Sequence, residues 1–224
     1  MESDDRRNRL FDELAVVGKA FGSPKRLELV ELLAQGERTV EALARAAGMG
    51  MSTVSAHLQV LKLANLVRTR REGTKVFYRL AGDDVAQLYA AMRSVARERS
   101  ADVSQALEVY LDLPGSGEVG LVTRAELEQM LAAGEVTLLD VRPSEEYLAG
   151  HIPGARSAPL DTLGAEVDTL RETPAVVAYC RGSFCVMAHD AVRILGGAGV
   201  EARRLEDGML EWRTAGLPVA AGAA

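Results

Sequence analysis

The sequence predicts two joined modules: a mainly α-helical one carrying a β-hairpin, then an α/β one with a mostly parallel sheet. Three observations carry this. Apolar residues recur at helical spacing up to about Ala64, then give way to two β-prone runs around a Gly-containing turn. Beyond about residue 120, strand-like runs alternate with helical segments, the order that builds a parallel sheet covered by helices. Between the two textures, Pro114-Gly115-Ser116-Gly117 has linker composition. The expected boundaries are residues 1–113, a linker at 114–119, and residues 120–219.

In the first module, Leu10, Phe11, Leu14, Val16 and Val17 predict a helix from about Asn8 to Phe21. Ser23-Pro24 reads as an N-cap followed by proline in the first turn, where its missing N–H is no loss. Leu27, Val30, Leu32 and Leu33 continue that helix to Gly36. Thr39 caps a short helix with Leu43 and Ala44 inward and Gly48 as its stop; Ser52 reads as the cap of the next, Thr53 to about Ala64. Two short helices around a Gly-containing turn form a helix-turn-helix. Leu66–Arg70 and Lys75–Leu80, joined by Arg71-Glu72-Gly73-Thr74, form a hairpin wing. One long helix is expected from Asp83 to about Leu113. With the first helix it leaves more apolar surface than one small core needs, which predicts a homodimer.

In the second module, Thr123 caps a helix bearing Leu127, Met130 and Leu131. Val136–Val141 and Ala175–Tyr179 are buried strands, and Ala202–Leu205 is a further strand. Pro143 starts a short helix, a longer one runs from about Val186 to Leu195, and a last one surrounds Trp212.

Net charge is −6, which at first sight disfavours a nucleic-acid partner. The charge is divided unevenly, +1 over residues 1–115 and −7 over 116–224. Lys62, Arg68, Arg70, Arg71, Lys75 and Arg79 cluster against a single acid, Glu72, and local basic density governs attraction to phosphates. Apolar runs all fall short of the roughly 18 residues a membrane span needs, and Met-Glu-Ser-Asp-Asp-Arg-Arg lacks the features of a signal peptide. With only Cys180 and Cys185, five positions apart, a disulfide framework is excluded; a cytoplasmic protein without membrane association is expected.

Ser52-Thr53-Val54-Ser55-Ala56-His57-Leu58-Gln59-Val60-Leu61, followed by Leu66-Val67 and the basic wing, resembles the ArsR-type winged-helix regulators over about residues 8–112. The resemblance implies a repressor of double-stranded operator DNA. Ser52, Thr53, Ser55, His57 and Gln59 are the candidate groups for the major groove, because hydroxyls and amides at a helix N-terminus serve phosphates and base edges. Arg68, Arg70, Arg71 and Lys75 would position the duplex through its backbone. Many members of that family release DNA when metal binds cysteine or histidine clusters. Residues 1–112 hold no cysteine and only His57, so no metal site is expected there.

Leu139-Asp140-Val141-Arg142-Pro143, Gly150-His151-Ile152-Pro153-Gly154 and Glu206-Asp207-Gly208-Met209-Leu210-Glu211-Trp212 resemble the rhodanese domain over about residues 120–219. The resemblance implies Cys180 as the nucleophile that takes up sulfane sulfur, on the loop Cys180-Arg181-Gly182-Ser183-Phe184-Cys185. Inward backbone N–H groups and a helix N-terminus would lower a thiol's pKa there, and Arg181 would add positive potential. Asp140 and Arg142 are expected to support the loop, and His151 to be structural. The family loop commonly reads Cys-x-x-Gly; here the glycine is one place early, at Gly182, and Cys185 stands at the sixth place. A related phosphatase architecture typically has a loop one residue longer.

The expected function is therefore transcriptional regulation in which the second module senses or carries reactive sulfur through a Cys180 persulfide or a Cys180–Cys185 bridge. The ligand would be a sulfane-sulfur donor or other small thiol-reactive molecule, with no cofactor. The alternatives are a working sulfurtransferase, of thiosulfate or mercaptopyruvate type, with an appended DNA module, and, ranked last, an oxyanion-binding domain.

Overall fold

The computed structural model describes residues 2–111, 120–173 and 175–222. The predicted linker and the last residues of the long helix predicted to Leu113 lie outside them. The chain divides into two compact units, Met1–Tyr89 and Ala90–Ala224.

The first unit opens with α1 (Glu2–Phe21) and α2 (Pro24–Gln35). Leu29, Val30, Leu32 and Leu33 of α2 are buried, as their spacing requires. Strand β1 (Arg38–Thr39) leads into α3 (Val40–Ala46), where the Thr39 hydroxyl accepts from the Ala42 N–H at 3.2 Å. Helix α4 (Met51–Leu63) starts before the predicted cap: Gly50 holds the N-cap position, and Ser52 lies exposed in the first turn. Ser23 sits at the N-cap of α2 without a side-chain capping bond; Pro24 fixes that helix start by its own φ. After α4, Asn65 adopts φ 57° and the Leu66 N–H closes onto the Leu61 carbonyl at 2.9 Å, an αL helix stop.

The wing is β2 (Val67–Glu72) with β3 (Lys75–Leu80), antiparallel with Glu72 opposite Lys75. The turn is thus Gly73-Thr74, with Gly73 at φ 57°, shorter than the four-residue turn predicted. Strand β1 joins β3 from the other side, giving the order β1-β3-β2. Val54, Leu58 and Leu61 of α4 form the inner stripe of this unit.

The predicted single helix to Leu113 is two helices, α5 (Asp83–Arg99) and α6 (Ala101–Leu111). Ser100 breaks it because its hydroxyl caps the second helix, accepting from the Val103 N–H at 3.3 Å. Residues from Ala90 onward on α5 belong to the second compact unit.

That unit contains β4 (Leu121–Val122), α7 (Arg124–Ala133), β5 (Val136–Asp140), α8 (Ser144–Ala149), β6 (Arg156–Ser157), α9 (Val167–Leu170), β7 (Ala175–Tyr179), α10 (Met187–Gly197), β8 (Ala202–Leu205) and α11 (Met209–Thr214). The sheet is parallel throughout, in the order β4-β8-β7-β5-β6. Thr123 and Glu126 close a full capping box on α7. One apolar layer gathers Leu139, Val176, Ala178, Ala188 and Leu195; the other gathers Leu138, Val177, Tyr179, Leu205 and Trp212. Cys180 follows the last residue of the central strand β7, at the carboxyl end of the sheet, where parallel sheets present their ligands.

Candidate functional site

The DNA-facing candidates divide by exposure. On α4, Ser52, Thr53 and Gln59 are exposed and Ser55 and His57 half-buried, while Val54 and Leu58 point into the core. On the wing, Arg68, Arg70, Arg71 and Lys75 are all exposed but share no single face. Strand alternation puts Arg68 and Arg70 on one side of β2 and Arg71 on the other. Arg70 is already engaged: its Nε lies 3.0 Å from Glu37, another nitrogen 2.7 Å from Glu72, and its guanidinium stacks 4.6 Å over the cross-strand Phe77 ring. Those hydrogen bonds, to Glu37 first and then Glu72, raise its pKa further. Glu37 was missed by sequence reasoning because its partner stands 33 positions away.

The second candidate is the loop from Cys180 to Cys185. Tyr179, directly before it, donates its hydroxyl to Asp140 at 2.6 Å and accepts from the Ile152 N–H at 3.1 Å. Asp140 and Arg142 are both fully buried, with Nε–Oδ1 at 2.9 Å, and Arg142 also donates to the Gly150 carbonyl at 2.7 Å. Burial opposes the Arg142 charge, but Asp140 outweighs it and leaves the guanidinium pKa raised. A buried pair with its remaining valences met fixes the end of β7 and so the start of the loop. His151 lies stacked on Tyr147 at 3.7 Å between ring centroids, its Nδ1 2.9 Å from the Tyr147 carbonyl. That is a packed histidine, away from the thiols' hydrogen bonds.

The two cysteines meet across the loop. Cys180 is 2% exposed and Cys185 8%. The Cys180 Sγ lies 3.4 Å from the Cys185 carbonyl and 3.9 Å from that of Gly182, contacts in which the thiol donates. The predicted lowering of the Cys180 pKa is reversed. Burial first, then the adjacent Cys185 sulfur, push it well up; the Ala188 and Gly182 amides counter only in part. Cys185 carries the lowered pKa instead, through the Cys180 hydrogen bond first, then the Met187 and Arg181 amides and the Arg181 charge, against burial. Helix α10 starts at Met187, and its first two amides are divided between the thiols, Met187 on Cys185 and Ala188 on Cys180.

Arg181 does not face the loop interior as a lone cation. Its guanidinium grips the buried Glu146 carboxylate, at 3.0 Å from Nε and 2.6 Å from a terminal nitrogen. Glu146 was not singled out in the sequence; its place in an ordinary charged helix run hid it. Beneath the loop, Gly208 leaves no room for a side chain: a Cβ there would lie 2.4 Å from the Gly182 nitrogen and 2.6 Å from the Cys180 carbonyl. Glu211 accepts from the Ser183 N–H at 3.2 Å, the Ser183 hydroxyl at 3.0 Å and the Gly208 N–H at 3.1 Å. Gly182 and Ser183 are thus held from below by Gly208 and Glu211. Among the described residues, no group of three or more His, Cys, Asp or Glu is placed to hold a metal, and no helix is long and apolar enough to cross a membrane.

A winged helix-turn-helix joined to a parallel α/β unit with a cysteine loop at its sheet's carboxyl end defines a DNA-binding regulator carrying a rhodanese-like domain. Two family profiles match in those places. The bacterial regulatory protein arsR family covers residues 23–69, and the rhodanese-like domain covers 123–215. The chain is 55% identical over 219 residues to the HTH-type transcriptional regulator Rv0324 of Mycobacterium tuberculosis, spanning 98% of this chain and 95% of that one. A probable mercury resistance operon repressor of Streptomyces lividans is 35% identical over 48% of this chain and 82% of its own length. Among solved structures, a homodimeric winged helix-turn-helix DNA-binding domain from Mycobacterium bovis is 52% identical, with TM-score 0.42, over 44% of this chain and 91% of that one. The chain belongs to the ArsR-family transcriptional regulators that carry a C-terminal rhodanese-like domain.

Proposed function

We propose that this regulator is a homodimeric operator-binding repressor whose rhodanese-like domain reads reactive sulfur through Cys180 and Cys185. The observation that carries the reading is the pair itself: two thiols across one short loop, the Cys180 Sγ 3.4 Å from the Cys185 backbone, both nearly closed to solvent. That enclosure favours a small donor, and the partnered Arg181 offers little to a dianion such as thiosulfate. A cysteine thiolate attacks the terminal sulfur of a low-molecular-weight persulfide RS–SH, forming a protein persulfide and releasing RS⁻. The second cysteine then loses its proton to solvent and attacks the protein-bound sulfur, closing the Cys180–Cys185 bridge and expelling HS⁻. Two thiols are oxidised, and the sulfane sulfur that oxidises them leaves as sulfide.

For the dimer, Leu10, Phe11 and Leu14 on α1 and Leu88 on α5 are large apolar side chains left exposed. A second copy of the chain is the partner of matching chemistry. The Cys180–Cys185 peptide, analysed by mass spectrometry after polysulfide treatment beside an operator titration at fixed salt, tests the whole reading. Sulfur uptake with a changed operator affinity supports it, and equal affinities of the reduced and sulfur-loaded protein refute the switch. Repeated turnover of thiosulfate or mercaptopyruvate, lost in Cys180→Ser, favours the sulfurtransferase instead.

A further inference from the structure

The loop is clamped from a second direction by a residue outside the rhodanese-like match. Arg93, on the part of α5 that belongs to the second compact unit, is 6% exposed. Its guanidinium stacks 4.2 Å over the Phe184 ring, lies 3.4 Å from the Ser183 hydroxyl and stands 3.7 Å from the Glu211 carboxylate. Glu211 in turn holds Ser183 and Gly208. A Cβ on Gly182 would lie 3.1 Å from an Arg93 nitrogen and 2.9 Å from Glu211, so these side chains are packed directly on the loop backbone. Beside them a cavity of about 420 Å³ is lined by Arg93, Arg97, Ser183, Phe184, Asp207 and Glu211.

From this packing we infer that Arg93 is a positioning residue of the cysteine loop: it holds Ser183 and Phe184 down and thereby keeps Cys180 and Cys185 enclosed. A buried guanidinium suits the task because its plane stacks on an aromatic ring while its edge serves a hydroxyl and a carboxylate. Lysine matches the charge but not the plane. The consequence is that the thiols' accessibility depends on α5, a helix lying before the family domain in sequence. The inference rests on the proposed function for the loop being the reactive site, and its test uses a reaction that needs no sulfur donor.

The test is the alkylation rate of each cysteine by iodoacetamide in the full chain, read by mass spectrometry. A buried thiol reacts through transient opening of the loop, so loss of the clamp is expected to raise the rate about tenfold in Arg93→Ala. Arg93→Lys should recover part of the protection, and Arg99→Ala, exposed on the same helix, should match the unaltered protein. The urea midpoint should change little. A folded Arg93→Ala that alkylates at the unaltered rate overturns the inference, as does a rise fully explained by a lowered urea midpoint. Should Arg93→Ala fail to fold, Phe184→Leu decides: it removes only the stacked ring and should raise the rate, and an unchanged rate overturns the inference. If polysulfide leaves both cysteines unmodified while Arg93→Ala still alkylates faster, the sulfur-sensing reading falls and the clamp stands.

Discussion

Replacing Gly208 by alanine tests how closely α11 and the cysteine loop are fitted. The backbone there, φ −152° and ψ −162°, is extended, so alanine meets no left-handed strain. By narrowing the unfolded ensemble the added methyl even favours folding, by about 0.4–1 kcal/mol. Its cost is purely steric. The new Cβ would sit 2.4 Å from the Gly182 nitrogen, 2.5 Å from the Gly182 Cα and 2.6 Å from the Cys180 carbonyl oxygen. All three are backbone atoms, so no rotamer change relieves them, and reaching ordinary contact takes a displacement of about 1 Å. The loop resists, because the Cys180 and Arg181 carbonyls accept from Met209 and Leu210 at 2.9 Å each. Overpacking costs about 1–3 kcal/mol in general, and this rigid setting argues for a net loss near 3 kcal/mol. Trp212 is the chain's one tryptophan and is buried in the second unit, so its fluorescence reports that unit even if the two units unfold separately. With a urea dependence of about 1–3 kcal/mol per M, the midpoint should fall by about 1–3 M. A shift within about 0.3 M would refute the close-fit reasoning.

Four further outcomes follow from the same geometry. Asp140→Ala strands the Arg142 guanidinium in the core and should cost about 3–5 kcal/mol in the same assay; a loss below about 1 kcal/mol would show the pair to be dispensable. His189 has its pKa lowered to about 4 by burial first and then by Arg204 and Arg193, so it is neutral in the folded chain at pH values where the unfolded chain takes up a proton. Its contribution is complete above about pH 6.5 and is lost as pH falls towards 4; urea midpoints at pH 7 and pH 5 should show the drop, and His189→Leu should flatten it. On the wing, Arg71→Ala should reduce the slope of log affinity against log salt by about 0.9, and Arg70→Ala by less, because Arg70 must first release Glu37 and Glu72. Phe11→Glu with Leu14→Glu should weaken the proposed self-association at least about tenfold by light scattering, and an unchanged mass would refute α1 as the self-association surface.

Much of the fold was legible because local chemistry and tertiary role coincide. Thr39 and Thr123 cap the helices their sequence marks, and the β5 and β7 runs are largely apolar because apolar layers pack on both faces of the sheet. The two-residue strands β1, β4 and β6 were invisible, since they exist only through partners distant in sequence. Ser100 was missed as a break because the apolar spacing runs through it undisturbed. At the site, the loop and its two thiols could be read from the rhodanese resemblance, but the direction of the Cys180 pKa could not. It depends on burial and on the adjacent Cys185 thiol. Arg93 and Glu146 gave no signal: each sits in an ordinary charged helix, and only packing makes it part of the loop.

The position of Arg93 changes where the gene can be cut. A recombination event, or an engineer, joining pieces at the Gly/Ser-rich stretch near residue 115 would transfer the rhodanese-like fold without Arg93. The sheet, the buried Asp140–Arg142 pair and both thiols would travel intact. What stayed behind is the guanidinium that lies on Phe184. On the Arg93 inference, the cassette that keeps the loop enclosed begins on α5, upstream of the apparent seam, and chimaeras joined at the seam would fold yet leave their thiols open to any passing electrophile.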